Sequence, residues 1–188
     1  MMSRTKARAA STASKRTETA MAQIIILMGV SGSGKTTIGK QLAASLGWPF
    51  YDADDFHPPA NVERMRQGMA LTDEDRRPWL AALARLIVEA LADNQSLVLA
   101  CSALKAAYRD QLTPQGATAA VRFVYLRLPP EVAAARLKDR QGHFMPASLV
   151  PSQFAALEEP DEAIVIDATQ SPDEIVEQIR SAFDRPSG

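Results

Sequence analysis

The chain has 188 residues, 46% apolar and 23% charged, with 21 Lys and Arg against 22 Asp and Glu, a formal charge of −1 and a pI near 6.1. That size and composition fit one ordinary globular domain, and the balanced charge excludes the basic footprint of a nucleic-acid binder or of a protein drawn to an anionic membrane. A single cysteine, Cys101, excludes an internal disulfide or a cysteine-built metal site, and the longest purely apolar run, Ile24 to Met28, is far short of the about 20 residues that span a bilayer.

We therefore expect a cytoplasmic chain with no nucleic-acid and no membrane partner. Residues 1–20 carry five Lys and Arg, one Glu and much Ser, Thr and Ala. Nothing there can build a core, and no apolar face recurs at helical spacing as a transit peptide requires. The expectation is a disordered tail over 1–22 and a single domain over 23–188, with Met21 a second point at which translation can start.

From residue 23 onward strand-like and helix-like segments alternate, the pattern of a parallel sheet covered on both faces. Strands are expected at 23–28, 49–52, 96–101, 121–127 and 163–167, as short apolar runs without strict alternation. Helices fill the gaps. One starts near Thr72, where Thr72 and Asp75 form a capping box, and its stripe Trp79, Leu80, Leu83, Leu86, Ile87 and Leu91 should face the core. The last opens with Ser171 as N-cap, Pro172 at the first helical position and Glu174 at the third.

Directly after the first strand runs Gly29-Val30-Ser31-Gly32-Ser33-Gly34-Lys35-Thr36, a complete G-x-x-x-x-G-K-[ST], followed by Thr37 and a helical stretch to Leu46. Strand, glycine-rich loop and helix in that order let successive N–H groups point into one concavity at a positive helix end. Residues 29–37 thus form a phosphate cradle, with Lys35 reaching the outer phosphates and the Thr36 hydroxyl available to magnesium. A guanine-nucleotide switch is disfavoured: N-K-x-D is absent and no D-x-x-G follows directly on a later strand. A motor ATPase is disfavoured because the apolar run 96–101 ends in Cys101-Ser102 rather than in an acidic pair.

Acidic groups come instead at the end of the second strand, in Tyr51-Asp52-Ala53-Asp54-Asp55-Phe56-His57. If the backbone stays extended, Asp52 and Asp54 emerge on one side at the carboxyl end of the sheet, where open α/β folds bind ligands. One carboxylate can hold hydrated magnesium while the other accepts or orients a substrate hydroxyl. His57 alone reads as an ordinary surface histidine sooner than as a ligand contact.

These segments together resemble the gluconate kinases of the shikimate- and adenylate-kinase-like P-loop group. The shared strings are GVSGSGKT (29–36), D-x-D-x-x-H (52–57), H-P-x-x-N (57–61), LTDEDRRPWL (71–80), C-S-A-L-K-x-x-Y-R-D (101–110), R-L-K-x-R-x-G-H-F (136–144) and Q-F-x-x-L-E-x-P (153–160). The resemblance implies a three-layer P-loop fold, a five-stranded parallel sheet with helices on both faces and a small helical lid. It implies ATP and Mg2+ as cofactors, D-gluconate as a small-molecule substrate phosphorylated at its 6-hydroxyl, and is compatible with a homodimer.

Residue by residue, it makes Lys35, Asp54, Arg136 and Arg140 the catalytic set and gives magnesium to Thr36 and Asp52. Asp54, His57, Arg64, Lys105, Tyr108, Arg109 and His143 become gluconate-binding. On spacing alone Arg64 serves equally as a solvated helix charge. Lys105, Tyr108 and Arg109 are i, i+3 and i+4 on a helix expected to begin after Ser102, where an exposed amphipathic face explains them as well. Arg136 and Arg140, also i and i+4, suit a lid over the triphosphate or a basic helix end. Adenine is expected against 167–172. A kinase for another small acid such as shikimate or for a nucleoside monophosphate, and a nucleotide-dependent regulatory module without turnover, are the competing readings.

Overall fold

The computed structural model describes residues 21–138 and 147–184. Arg140, His143 and the basic stretch 1–20 lie outside the described residues, and so do the expectations placed on them. Five strands, β1 (Ile24–Met28), β2 (Phe50–Asp52), β3 (Leu97–Ala100), β4 (Val121–Arg127) and β5 (Ile164–Asp167), form one sheet in the order β2-β3-β1-β4-β5 with every pairing parallel. All five expected strands are present, each trimmed by at most one residue at an end. Among the described residues no helix is long and apolar enough to cross a membrane.

β1 is wholly buried because it is central and covered on both faces. The pleat divides its side chains. Ile25 and Leu27 point with Val98, Val124 and Leu126 to one layer, made by α1 (Lys35–Leu46), α5 (Pro130–Lys138), α6 (Val150–Ala156) and α7 (Pro172–Asp184). Ile24, Ile26 and Met28 point with Leu97 and Leu99 to the other, made by α3 (Asp73–Ala92) and α4 (Ala106–Gln111). A run that looks uniformly apolar therefore feeds two cores, and the three-layer α/β architecture follows.

Local signals set the helix ends. Thr72 and Asp75 close the capping box at the start of α3 reciprocally, and Trp79, Leu80, Leu83 and Ile87 are buried beneath it. Ser171 and Glu174 exchange the corresponding bonds before α7. α1 lies so close to β2 that a Cβ on Gly39 would stand 2.5 Å from the Phe50 ring, so only glycine admits this approach without displacing the aromatic.

One helix starts later than its spacing predicts. The helix after Ser102 begins at Ala106, not directly after Ser102, because Ala103 is left-handed (φ 43) and Lys105 is extended (φ −96, ψ 148) as the residue before the helix. Lys105 is therefore off the helical face that carries Tyr108 and Arg109.

Candidate active site

The carboxyl ends of β1, β2 and β3 open into a cleft lined from one side by the loop after β1. The loop wraps because Gly29 (φ 141) brings its Cα where a Cβ would stand 2.8 Å from the Leu126 carbonyl, and Gly34 (φ 91) turns the chain into α1. Ser31, Gly32, Gly34, Lys35, Thr36 and Thr37 line the cleft, whereas Gly29, Val30 and Ser33 form the turn behind it. Lys35 folds back on the loop, its Nζ donating to the carbonyls of Gly29 and Val30 at 2.9 Å each.

The acidic pair reaches this loop, though not as an extended strand. β2 stops at Asp52 and the chain enters a 3₁₀ turn, Ala53–Phe56, whose first N–H groups need an acceptor; Asp52 Oδ1 takes the Asp54 N–H at 3.1 Å. Asp52 Oδ2 accepts from Thr36 Oγ1 at 2.7 Å. One carboxylate thereby ties β2 to the phosphate loop, and the turn carries Asp54 into the same cleft. Among the described residues no three His, Cys, Asp or Glu side chains gather to hold a metal alone. A hydroxyl and a carboxylate 2.7 Å apart at a phosphate loop are the hard oxygen donors that suit Mg2+ shared with phosphate and water.

The turn is held from below by α3. Trp79 Nε1 donates to the Ala53 carbonyl at 2.7 Å in a buried contact, and the His57 ring stacks on Trp79 with centroids 4.5 Å apart and planes 10° from parallel. His57 Nδ1 is buried without a hydrogen-bond partner. Burial first, and the nearby Arg76 charge second, push the imidazole down from 6.5 to about 4, so it is neutral at neutral pH and offers a hydrogen bond rather than a charge.

The shift has a measurable consequence. Between pH 6.5 and 4 the unfolded chain binds a proton that the folded chain refuses, so stability is full above that window and declines as pH falls through it. Allowing for the part of the ring that reaches solvent, we expect a loss of roughly 1 kcal/mol between pH 7 and pH 5. Urea titrations at the two pH values should show it, and His57→Asn should flatten the difference. A slope that survives in the variant places the titration elsewhere.

The other residues expected to bind substrate divide. Arg64, on α2 (Pro59–Arg66), pairs with Asp75 at 3.6 Å and does not line the cleft. Lys105 Nζ donates to both Asp73 oxygens at 2.7 and 2.9 Å, and Tyr108 Oη donates to Oδ1 at 2.5 Å, so the two clasp the first turn of α3. Arg109 turns to the carbonyls of Ala103, Leu104 and Glu158 at 3.0 to 3.2 Å, away from the cleft. Arg136 donates to the carbonyls of Gly32 at 3.2 Å and Ala168 at 2.9 Å, bridging the phosphate loop to the segment after β5 rather than lying over the cleft. Arg76 lines the cleft beside His57 and was missed. In the sequence it reads as one more solvated charge in DEDRR, and its place inside LTDEDRRPWL was the available signal.

Residues 31–184 match the shikimate kinase family. The chain is 46% identical to a probable gluconokinase of Xenopus tropicalis, over 86% of this chain and 94% of that one, and 46% identical to the gluconokinase of Gluconobacter oxydans, over 86% and 91%. A solved gluconokinase from Sinorhizobium meliloti superposes with a TM-score of 0.76 at 41% identity, covering 87% of this chain and 92% of that one. Phosphate loop, acidic turn and stacked histidine thus sit in a chain that belongs to the shikimate kinase family of P-loop proteins and, within it, to the gluconokinases.

Proposed function

We propose that this chain transfers the terminal phosphoryl group of ATP to the 6-hydroxyl of D-gluconate, giving 6-phosphogluconate and ADP. The observation that carries the reading is the convergence of Lys35, Thr36, Asp52, Asp54 and His57 on one cleft, with Asp52 bonded to Thr36. Relatives of this length and identity carrying the gluconokinase name support the choice of acceptor.

The loop amides and Lys35 bind and orient the phosphates. Thr36 and Asp52 would hold Mg2+, which when bound neutralises phosphate charge. Asp54 orients the sugar-acid hydroxyl and takes its proton as the oxygen bonds to the γ-phosphorus and the bond to the ADP oxygen breaks. Neutral His57 hydrogen-bonds a substrate hydroxyl, and Arg76 supplies the cation for an acid with one carboxylate. Lys105 and Tyr108 act as the clasp that positions α3, and through it Arg76 and Trp79.

The test is ADP release by the full chain with ATP, Mg2+ and a panel of aldonic acids, shikimate and nucleoside monophosphates. Selective turnover with D-gluconate is expected. Turnover only with another acceptor replaces the substrate, and nucleotide binding without turnover on any acceptor replaces the enzyme with a regulatory module.

A further inference from the structure

The segment 153–160 recurs among the motifs and has no part in the chemistry above. Its first residue, Gln153 on α6, makes two bonds to Ser31: the Ser31 N–H donates to Oε1 at 2.7 Å, and Nε2 donates to Ser31 Oγ at 3.0 Å, across 122 residues of chain. Both residues line the cleft. At the other end of the segment Glu158 Oε2 accepts the Ala106 N–H at 2.7 Å, and its main chain bonds Leu104 and Arg109. The motif is a strap between the phosphate loop and the start of α4.

We propose that Gln153 is a positioning residue for the nucleotide: its amide fixes the tip of the phosphate loop in the shape that receives the phosphates, and it is an amide because the site takes a polyanion. The inference rests on the cleft's being the ATP site, though not on gluconate as the acceptor.

Two physical points carry it. A glycine-rich loop has many accessible conformations, and Ser31 stands between Gly29 and Gly32, both at positive φ, where the chain is least self-determined. An ordered loop therefore needs a contact from outside. A bidentate amide supplies donor and acceptor from a single side chain on a helix, which fixes orientation as well as distance. The second point is charge. Glutamate has the same shape, can accept from the Ser31 N–H and from its hydroxyl, and so can keep the brace. It would also set a carboxylate beside the phosphates, where like charge costs binding.

The experiment compares wild type, Gln153→Leu and Gln153→Glu by ATP titration without acceptor, by steady-state kinetics and by thermal melts without nucleotide. Gln153→Leu is expected to weaken ATP about tenfold, with acceptor KM within twofold and the melt little changed. Gln153→Glu is expected to melt like wild type and to weaken ATP more than Gln153→Leu does. Ser31→Ala, which retains the backbone N–H, should be mild alone and add nothing to Gln153→Leu.

Unchanged ATP affinity in Gln153→Leu, or a lowered melt with ATP and acceptor constants worsened alike, overturns the proposal. If wild type binds ATP and phosphorylates no aldonic acid, the proposed reaction fails and the titrations still decide the brace. If wild type binds no nucleotide, both fall.

Discussion

Asp54→Asn is expected to lower kcat by two to four orders of magnitude while leaving the KM for ATP within about threefold, as steady-state kinetics with D-gluconate will show. The substitution is nearly isosteric and leaves the Asp54 main chain untouched, both its donation to Asp52 Oδ1 at 3.1 Å and its acceptance of the His57 N–H at 3.4 Å, so the 3₁₀ turn and its buried tie to Trp79 should persist. What disappears is the acceptor for the hydroxyl proton. Asp52 is poorly placed to substitute: one of its oxygens holds the Asp54 N–H and the other the Thr36 hydroxyl, so it is committed to the loop. A small loss shared equally between kcat and the ATP constant would remove Asp54 from the acceptor side and leave it a surface carboxylate.

The strands and the phosphate loop were legible in the sequence because each is set by short-range physics. A buried strand must be apolar on both faces, a loop that wraps phosphate must contain glycine where Cβ collides, and a helix must cap its first turn. Thr72 with Asp75 and Ser171 with Glu174 can thus be paired from their spacing alone. The site's details depend on distant partners. Asp52 and Asp54 do share the cleft, yet by a capped turn rather than by strand periodicity, since Asp52 satisfies a local N–H and Thr36 at once. Helical spacing put Arg109 near Tyr108 but could not announce that three carbonyls would gather its guanidinium. Likewise Asp73 draws Lys105 and Tyr108 together from across 32 and 35 positions, with both bonds holding its carboxyl below the usual carboxylate range. Arg76 and Gln153 both lie in shared strings, 71–80 and 153–160, yet a single charge or amide does not reveal its role until the surface it faces is known.

Lys35→Ala is expected to weaken ATP by at least tenfold and to lower kcat/KM by three orders of magnitude or more, a total loss comparable to that of Asp54→Asn but spread over binding and turnover. In the structure its ammonium is retained by the Gly29 and Val30 carbonyls, each 2.9 Å away, at the edge of the cleft that Lys35 lines. A lysine already gathered against the loop loses little further side-chain entropy when phosphate arrives, so its charge is available at low cost to bound ATP and to the charge that develops during transfer. Alanine removes both contributions and also takes the donor from the carbonyls of two buried residues, Gly29 and Val30, so the melt without nucleotide should fall by several degrees as well. Arginine should not rescue turnover despite keeping the charge, because a planar guanidinium cannot place one compact donor between two converging carbonyls and then the phosphate. ATP titration and steady-state kinetics on the alanine and arginine variants check this: full activity in Lys35→Arg would reduce Lys35 to a diffuse positive charge, and unchanged ATP binding in Lys35→Ala would remove the phosphates from this loop.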